Sequence, residues 1–212
     1  ESAAMGAEVD WGKKNLMPNF KSHPCKIGDE INIPPDLLDK PSMQVPLKAL
    51  AILKKNFGDE VAIMGKVFGP WTLGYHMFGV EDFLMNTLLE PDIIKKALES
   101  LKKVTVMFAQ AQINAGADAL CLADHCTRDL CAPDAYRDFV MPVHVELAQR
   151  IKCPIALHIC GDTSDRIGCI AKTGIPCFHF DSKVPAKMAR ELAGESLSLM
   201  GGTSNFRIIR TG

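Results

Sequence analysis

From residue 59 onward the chain switches between two hydrophobic periods. Short runs at 61–67, 117–124, 155–160, 176–181 and 197–202 are rich in apolar and β-branched residues. Longer stretches between them repeat apolar residues every three or four positions. The first pattern is that of strands and the second that of amphipathic helices. Helices are therefore expected near 81–89 and 91–115, then at 133–151, 163–173 and 184–193, with Pro91, Pro133 and Pro185 marking starts where a missing N–H costs nothing. Residues 1–58 are less regular. They predict a helical tail at 1–5, a hairpin through 9–11 and Phe20, a Pro/Asp-rich loop at 34–46 and an amphipathic helix over 47–57. No linker or low-complexity tract divides the chain, so residues 1–212 are expected to form one domain.

Alternating strands and helices build βα units around a parallel sheet, either doubly wound or closed into a barrel. The strand faces favour the barrel. Ala156, His158 and Cys160 share one face of their run while Ile155, Leu157 and Ile159 share the other, and His179 and Asp181 oppose Phe178 and Phe180. Bulky apolar residues thus face the helices, and small or polar ones face a lumen whose C-terminal mouth can carry a site. A complete (β/α)₈ barrel needs eight strands and about 250 residues. Five strands are visible, so the expectation is an incomplete barrel.

Composition narrows the function. The chain is 47% apolar and 23% charged, as a folded core requires, and 24 basic against 25 acidic residues leave a net charge of −1. That balance argues against nucleic acid as a partner. The apolar stretch at 61–80 is interrupted by Lys66, Pro70 and four glycines, which argues against a membrane span. No secretory signal is expected at the start, and the eight cysteines lie mostly inside apolar runs, so a reducing, cytoplasmic setting is expected.

The chemistry-bearing residues fall at strand ends. His158 and Cys160 are two apart on one face and are followed by Gly161, so an imidazole and a thiol are presented together where a cation can be reached. Nitrogen with sulfur favours zinc. The plainer reading is a hydrogen-bonded core histidine beside a small apolar cysteine. Asp124 can bind substrate, brace a ligand or cap a loop; Asp181, at the end of the next strand, can cap the helix near Val184. The segment from Gly69 to His76, Thr72 included, can offer backbone amides to an anionic substrate group, although a strand-to-helix turn explains it equally well. Gly201, Gly202 and Asn205 suit close backbone approach at the mouth, or form a plain turn. Adjacent His125 and Cys126 point to opposite sides of an extended backbone and read as loop and packing residues. The five-residue spacing of Cys121, Cys126 and Cys131 matches no iron–sulfur motif, and Cys153 and Cys169 read as core.

Phe68-Gly-Pro-Trp-Thr-Leu73, Asp124, Leu130-Cys-Ala-Pro-Asp-Ala-Tyr136 through Phe139 and Pro142, Leu157-His-Ile-Cys-Gly161 and Phe180-Asp181 together cover most of residues 59–205. In these stretches the chain resembles the uroporphyrinogen decarboxylase superfamily and, through His-x-Cys-Gly, its zinc-dependent methylcobalamin:coenzyme M methyltransferase branch. The resemblance implies a (β/α)₈ barrel whose first two strands and eighth strand are not among these residues. It also implies zinc bound by His158 and Cys160, with Asp181 as a displaceable ligand or neighbouring carboxylate. The family's further cysteine ligand, placed after the eighth strand, has no counterpart here, and Cys177 begins its strand too far from the mouth to replace it. The implied reaction moves a methyl group from methylcobalamin, or from a corrinoid protein partner, to a small thiol such as coenzyme M. Homocysteine as acceptor, a metal-free tetrapyrrole decarboxylase and a non-catalytic corrinoid-protein docking barrel remain as alternatives.

Overall fold

The computed structural model describes residues 1–13 and 18–203. A small antiparallel hairpin, β1 (Glu8–Asp10) with β2 (Asn19–Ser22), precedes the main body. A five-stranded parallel sheet follows: β3 (Met64–Phe68), β4 (Ala119–Ala123), β5 (Ile155–Ile159), β6 (Cys177–Phe180) and β7 (Ser198–Gly201). Its strands lie in strict sequence order. A doubly wound sheet reverses its order at a switch point; here the order never reverses, and the sheet is a consecutive stretch of barrel wall. Residues 204–212, with the candidate Asn205, lie outside the described residues.

Strand register sorts the side chains into rows. Lys66, Cys121, Ala156, Cys177 and Ser198 are paired across the sheet in one row, and Phe68, Ala123, His158, His179 and Met200 in the next, two residues nearer the C-terminal ends. Both rows share the inward face. Val67, Leu122, Leu157 and Phe178 occupy the opposite face and are fully buried beneath the helices. The expected division of β5 and β6 into an apolar outer and a polar inner face is observed.

The helices are α1 (Pro41–Phe57), α2 (Pro70–Phe78), α3 (Val80–Leu89), α4 (Pro91–Asn114), α5 (Pro133–Ala135), α6 (Met141–Arg150), α7 (Ile167–Ile170) and α8 (Ala186–Ala193). A π-helical turn at Tyr136–Val140 joins α5 to α6, so the expected helix at 133–151 is one run with an altered turn. Four expectations change. The loop at 34–46 gives way to a helix beginning at Pro41, because a proline at the first helical position is compatible with helix and Pro46 is absorbed five residues later. Residues 163–173 hold only the short α7 among turns, and residues 1–5 form turns.

The fourth change is α2, which its glycines had concealed. Gly74 sits in its middle, where a Cβ would collide with the ring of Phe83 on α3; the glycine lets the two helices approach. Trp71 then packs edge-on to Phe83, with ring centroids 5.0 Å apart.

The edge of β3 facing away from β4 is closed by side chains. Gln112 of α4 accepts from the Lys66 amide at 2.9 Å and donates to the Lys66 carbonyl at 2.7 Å. Thr105 donates to the Phe68 carbonyl at 2.9 Å, and Glu1 accepts from the Phe68 amide at 2.9 Å. Gln112 is 1% exposed and Thr105 fully buried, so the unpaired main-chain groups of this edge are satisfied where water does not reach. Among the described residues, no helix is long and apolar enough to cross a membrane.

Candidate functional site at the strand ends

His158 is the second-to-last residue of β5, and Cys160 is the first residue beyond the strand. His158 Nε2 and Cys160 Sγ lie 2.9 Å apart, while the buried Nδ1 of His158 has no hydrogen-bond partner. The His179 ring stands 4.6 Å from that of His158, centroid to centroid. Burial, followed by the neighbouring His179, holds the His158 pKa below its ordinary value. Burial and then the Asp181 carboxylate push the Cys160 thiol up. The pair is thus a neutral imidazole and a protonated thiol at neutral pH. A soft sulfur and a borderline nitrogen converging beside an unpartnered buried ring atom suit a zinc ion.

The turn beyond Cys160 is specified locally. Gly161 adopts a φ of +87°, and a Cβ there would strike Thr127. Asp181, at the end of β6, accepts from the Gly161 amide at 3.0 Å and the Lys183 amide at 2.9 Å. The Gly161 amide is the first cause of an Asp181 pKa below the usual carboxylate range. Its carboxylate is therefore occupied as a backbone brace. Among the described residues, no group of three or more His, Cys, Asp or Glu is gathered closely enough to hold a metal ion.

Asp124, at the end of β4, is 1% exposed. One oxygen accepts from the Thr72 amide at 2.8 Å and the Thr72 hydroxyl at 3.0 Å; the other pairs with His144 Nε2 at 3.0 Å. His144 Nδ1 lies 3.2 Å from the Tyr136 hydroxyl. Gly69 completes the cradle, because a Cβ there would fall inside the Asp124 carboxyl group. The anion facing the N-terminus of α2 is thus Asp124 itself, and the Thr72 amide is already taken. Nothing in the sequence marks Tyr136 and His144 as site residues. Their only sequence signal is an eight-residue spacing on one helical run; Tyr136 bonds His144, and His144 in turn reaches Asp124 at the end of β4.

The remaining sequence candidates separate by burial. His125 is exposed at the mouth, and its amide donates to the Thr72 hydroxyl at 2.6 Å. Cys126 and Cys131 are buried, with the Cys131 thiol pushed up to about 11 by desolvation. Buried Arg166 donates to the carbonyls of both, at 2.6 Å each, and ties down the loop after β4. Cys177 starts β6, level with Ala156 and well below Cys160. All eight cysteines are free thiols.

Two open cavities meet at the pair. One, of about 520 Å³, is lined by Lys66, Phe68, Thr72, His76, Asp124 and His125 together with His158 and Cys160. The other, of about 620 Å³, is lined by His158, Cys160, His179, Asp181, Gly201 and Gly202. His158 and Cys160 are the residues common to both linings.

Residues 1–211 match the family model described as Uroporphyrinogen decarboxylase (URO-D). The chain belongs to the uroporphyrinogen decarboxylase family. Within this family it is 32% identical over 203 residues to a methylated-thiol–coenzyme M methyltransferase of Methanosarcina mazei, covering 95% of this chain and 54% of the relative. It is 28% identical over 205 residues to the methylcobamide:CoM methyltransferase MtaA of Methanosarcina barkeri, covering 95% and 60%. A uroporphyrinogen decarboxylase of Thermosynechococcus vestitus is 28% identical over 165 residues, covering 72% and 47%. A solved methyltransferase structure from Methanosarcina mazei superposes with a TM-score of 0.89 at 29% identity, over 93% of this chain and 60% of that one. The chain thus spans about half to three fifths of the length of these family members.

Proposed function

We propose that this chain carries the thiol-activating face of a zinc-dependent methyltransferase that moves a methyl group from a methylated corrinoid to a small thiol. The observation carrying the reading is the convergence of His158 Nε2 and Cys160 Sγ, 2.9 Å apart, at the boundary of two cavities. Two reactants can then approach one centre from two sides. The coenzyme M methyltransferases among the relatives support it, and coenzyme M is the acceptor their names indicate. The eight free thiols suit a reducing, cytoplasmic setting.

In the overall transfer the acceptor S–H loses its proton, an S–CH₃ bond forms, and the methyl–cobalt bond breaks with its electron pair left on cobalt. An unassisted thiol is mostly protonated at neutral pH and a poor nucleophile. Bound zinc would supply the cationic field that makes the acceptor a thiolate near neutrality. His158 and Cys160 would hold it, the imidazole already neutral and the Cys160 proton lost on binding. In this reading Asp181 fixes the turn that carries Cys160 through the Gly161 amide, and joins the donor set only by releasing that amide. No cysteine follows Cys177 in these 212 residues, so the family's further sulfur ligand is not among them. Asp124, Gly69 and Thr72 act by positioning, since they fasten α2 and the β4 loop along one cavity wall.

Incubating the chain with zinc, methylcobalamin and 2-mercaptoethanesulfonate tests the proposal. The methyl thioether should form, and the reaction should fail with a chelator and in His158→Ala and Cys160→Ser. Decarboxylation of uroporphyrinogen that is indifferent to zinc and to both substitutions would replace this reading with the metal-free one.

A further inference from the structure

The first cavity holds a cation that the fold positions and the site described so far does not use. We propose that Lys66 selects an acceptor thiol bearing an anionic group, by pairing with that group while the sulfur lies at Cys160. This rests on the thiol-acceptor reading above and adds a specificity residue to it.

Lys66 sits on the inward face of β3, in the row of Cys121 and Ala156. Its ammonium lies 5.1 Å from the centroid of Phe68, the next inward residue toward the C-terminal end, so the side chain leans along the strand toward the mouth. Phe68 is level with His158 across the register. The ammonium therefore stands near the height of His158, two strands away. Two strand spacings amount to roughly 9–10 Å. A sulfur, a two-carbon linker and an acid group, with one polar contact at each end, fill such a gap; a longer aminoacyl thiol overfills it.

Three observations make the lysine a built feature. Among the described residues eleven ion pairs form, His144 with Asp124 included, yet no carboxylate lies within ion-pair distance of Lys66. Glu1 is near enough to feel the lysine, but its carboxylate is bound by the Phe68 amide and burial raises its pKa to about 7. Buried Gln112 grips both main-chain groups of Lys66, and Gly65 leaves the space for it, since a Cβ there would come within 2.5 Å of the Gln112 oxygen. The other basic groups of the cavity are imidazoles, and burial holds His76 down at about 4, so Lys66 supplies the permanent positive charge there.

The test is binding, measured calorimetrically on the zinc-supplemented chain with 2-mercaptoethanesulfonate and with its neutral analogue 2-mercaptoethanol. The wild-type chain should bind the anionic thiol at least tenfold more tightly. Lys66→Met should remove that preference while leaving 2-mercaptoethanol unchanged, and Lys66→Arg should restore most of it. Equal affinities or no binding in the wild type, or a preference that survives Lys66→Met, overturns the proposal. Methyl transfer measured on the same samples separates the two claims: anion-selective binding without transfer leaves the lysine assignment standing and refutes the catalytic reading.

Discussion

Replacing Gly69 by alanine should be among the most damaging one-carbon changes in the chain. The added methyl would occupy the position of the Asp124 carboxyl group, so the aspartate must leave its place. Three polar groups then lose their partner: the Thr72 amide, the Thr72 hydroxyl and His144 Nε2. Asp124 and His144 are 1% and 0% exposed, so water cannot easily substitute. Breaking a buried pair by removing one member costs about 3–5 kcal/mol, and the same range is expected here. Asp124→Ala alone should cost a similar amount. The double variant should cost far less than the sum, because the new methyl then enters vacated space, and an interaction energy of about 2 kcal/mol or more is expected. Urea unfolding followed by tryptophan fluorescence reads this well, since Trp71 is buried on α2 beside the cradle and the second tryptophan, Trp11, is 64% exposed. A loss below about 1 kcal/mol for Gly69→Ala, or additive effects in the double variant, would refute the cradle as a coupled unit.

Other expectations follow from the same geometry. Because burial and Asp181 raise the Cys160 thiol above its ordinary 9.0, metal-free protein should label slowly with iodoacetamide at Cys160 at pH 7 and rapidly only above pH 9, as peptide mass spectrometry can follow; rapid labelling at pH 7 would contradict the assigned environment. His158 has a folded pKa below its ordinary 6.5, so the unfolded chain takes up its proton first. Its contribution to stability is complete above pH 6.5 and fades as pH falls through the folded value; His158→Gln should flatten that part of the melting-temperature profile. Gln112→Leu leaves the Lys66 amide and carbonyl without partners and should cost about 2–4 kcal/mol in urea unfolding, with no effect expected if water fills the edge instead.

The wall of the barrel was legible because its strands are written in apolar runs with inward-facing exceptions. Ile155, Leu157 and Ile159 against Ala156, His158 and Cys160 declare both faces of β5 within six residues. Helix α2 was not legible, because Gly74 reads locally as a breaker and only Phe83, on another helix, explains it. The start of α1 was hidden in the same way by Pro41 and Pro46. At the site, His158 and Cys160 could be paired from sequence because strand periodicity alone places them together. Thr72, His144 and Tyr136 could not be tied to Asp124, since their spacing along the chain carries no trace of a contact that the α2 and α6 packing creates. Lys66 likewise looks like an ordinary strand lysine until the register shows that its face is the lumen.

On the proposed reading, His158 and Cys160 together bind the metal that activates the thiol. Zinc content and zinc-edge X-ray absorption, measured on the purified chain and on His158→Ala and Cys160→Ala, decide between this and a metal-free site. Zinc bound through mixed nitrogen and sulfur ligands is expected in the wild type, with affinity falling at least tenfold in each variant. Zinc retained equally by both variants, or a wild-type spectrum with no sulfur ligand, would contradict it.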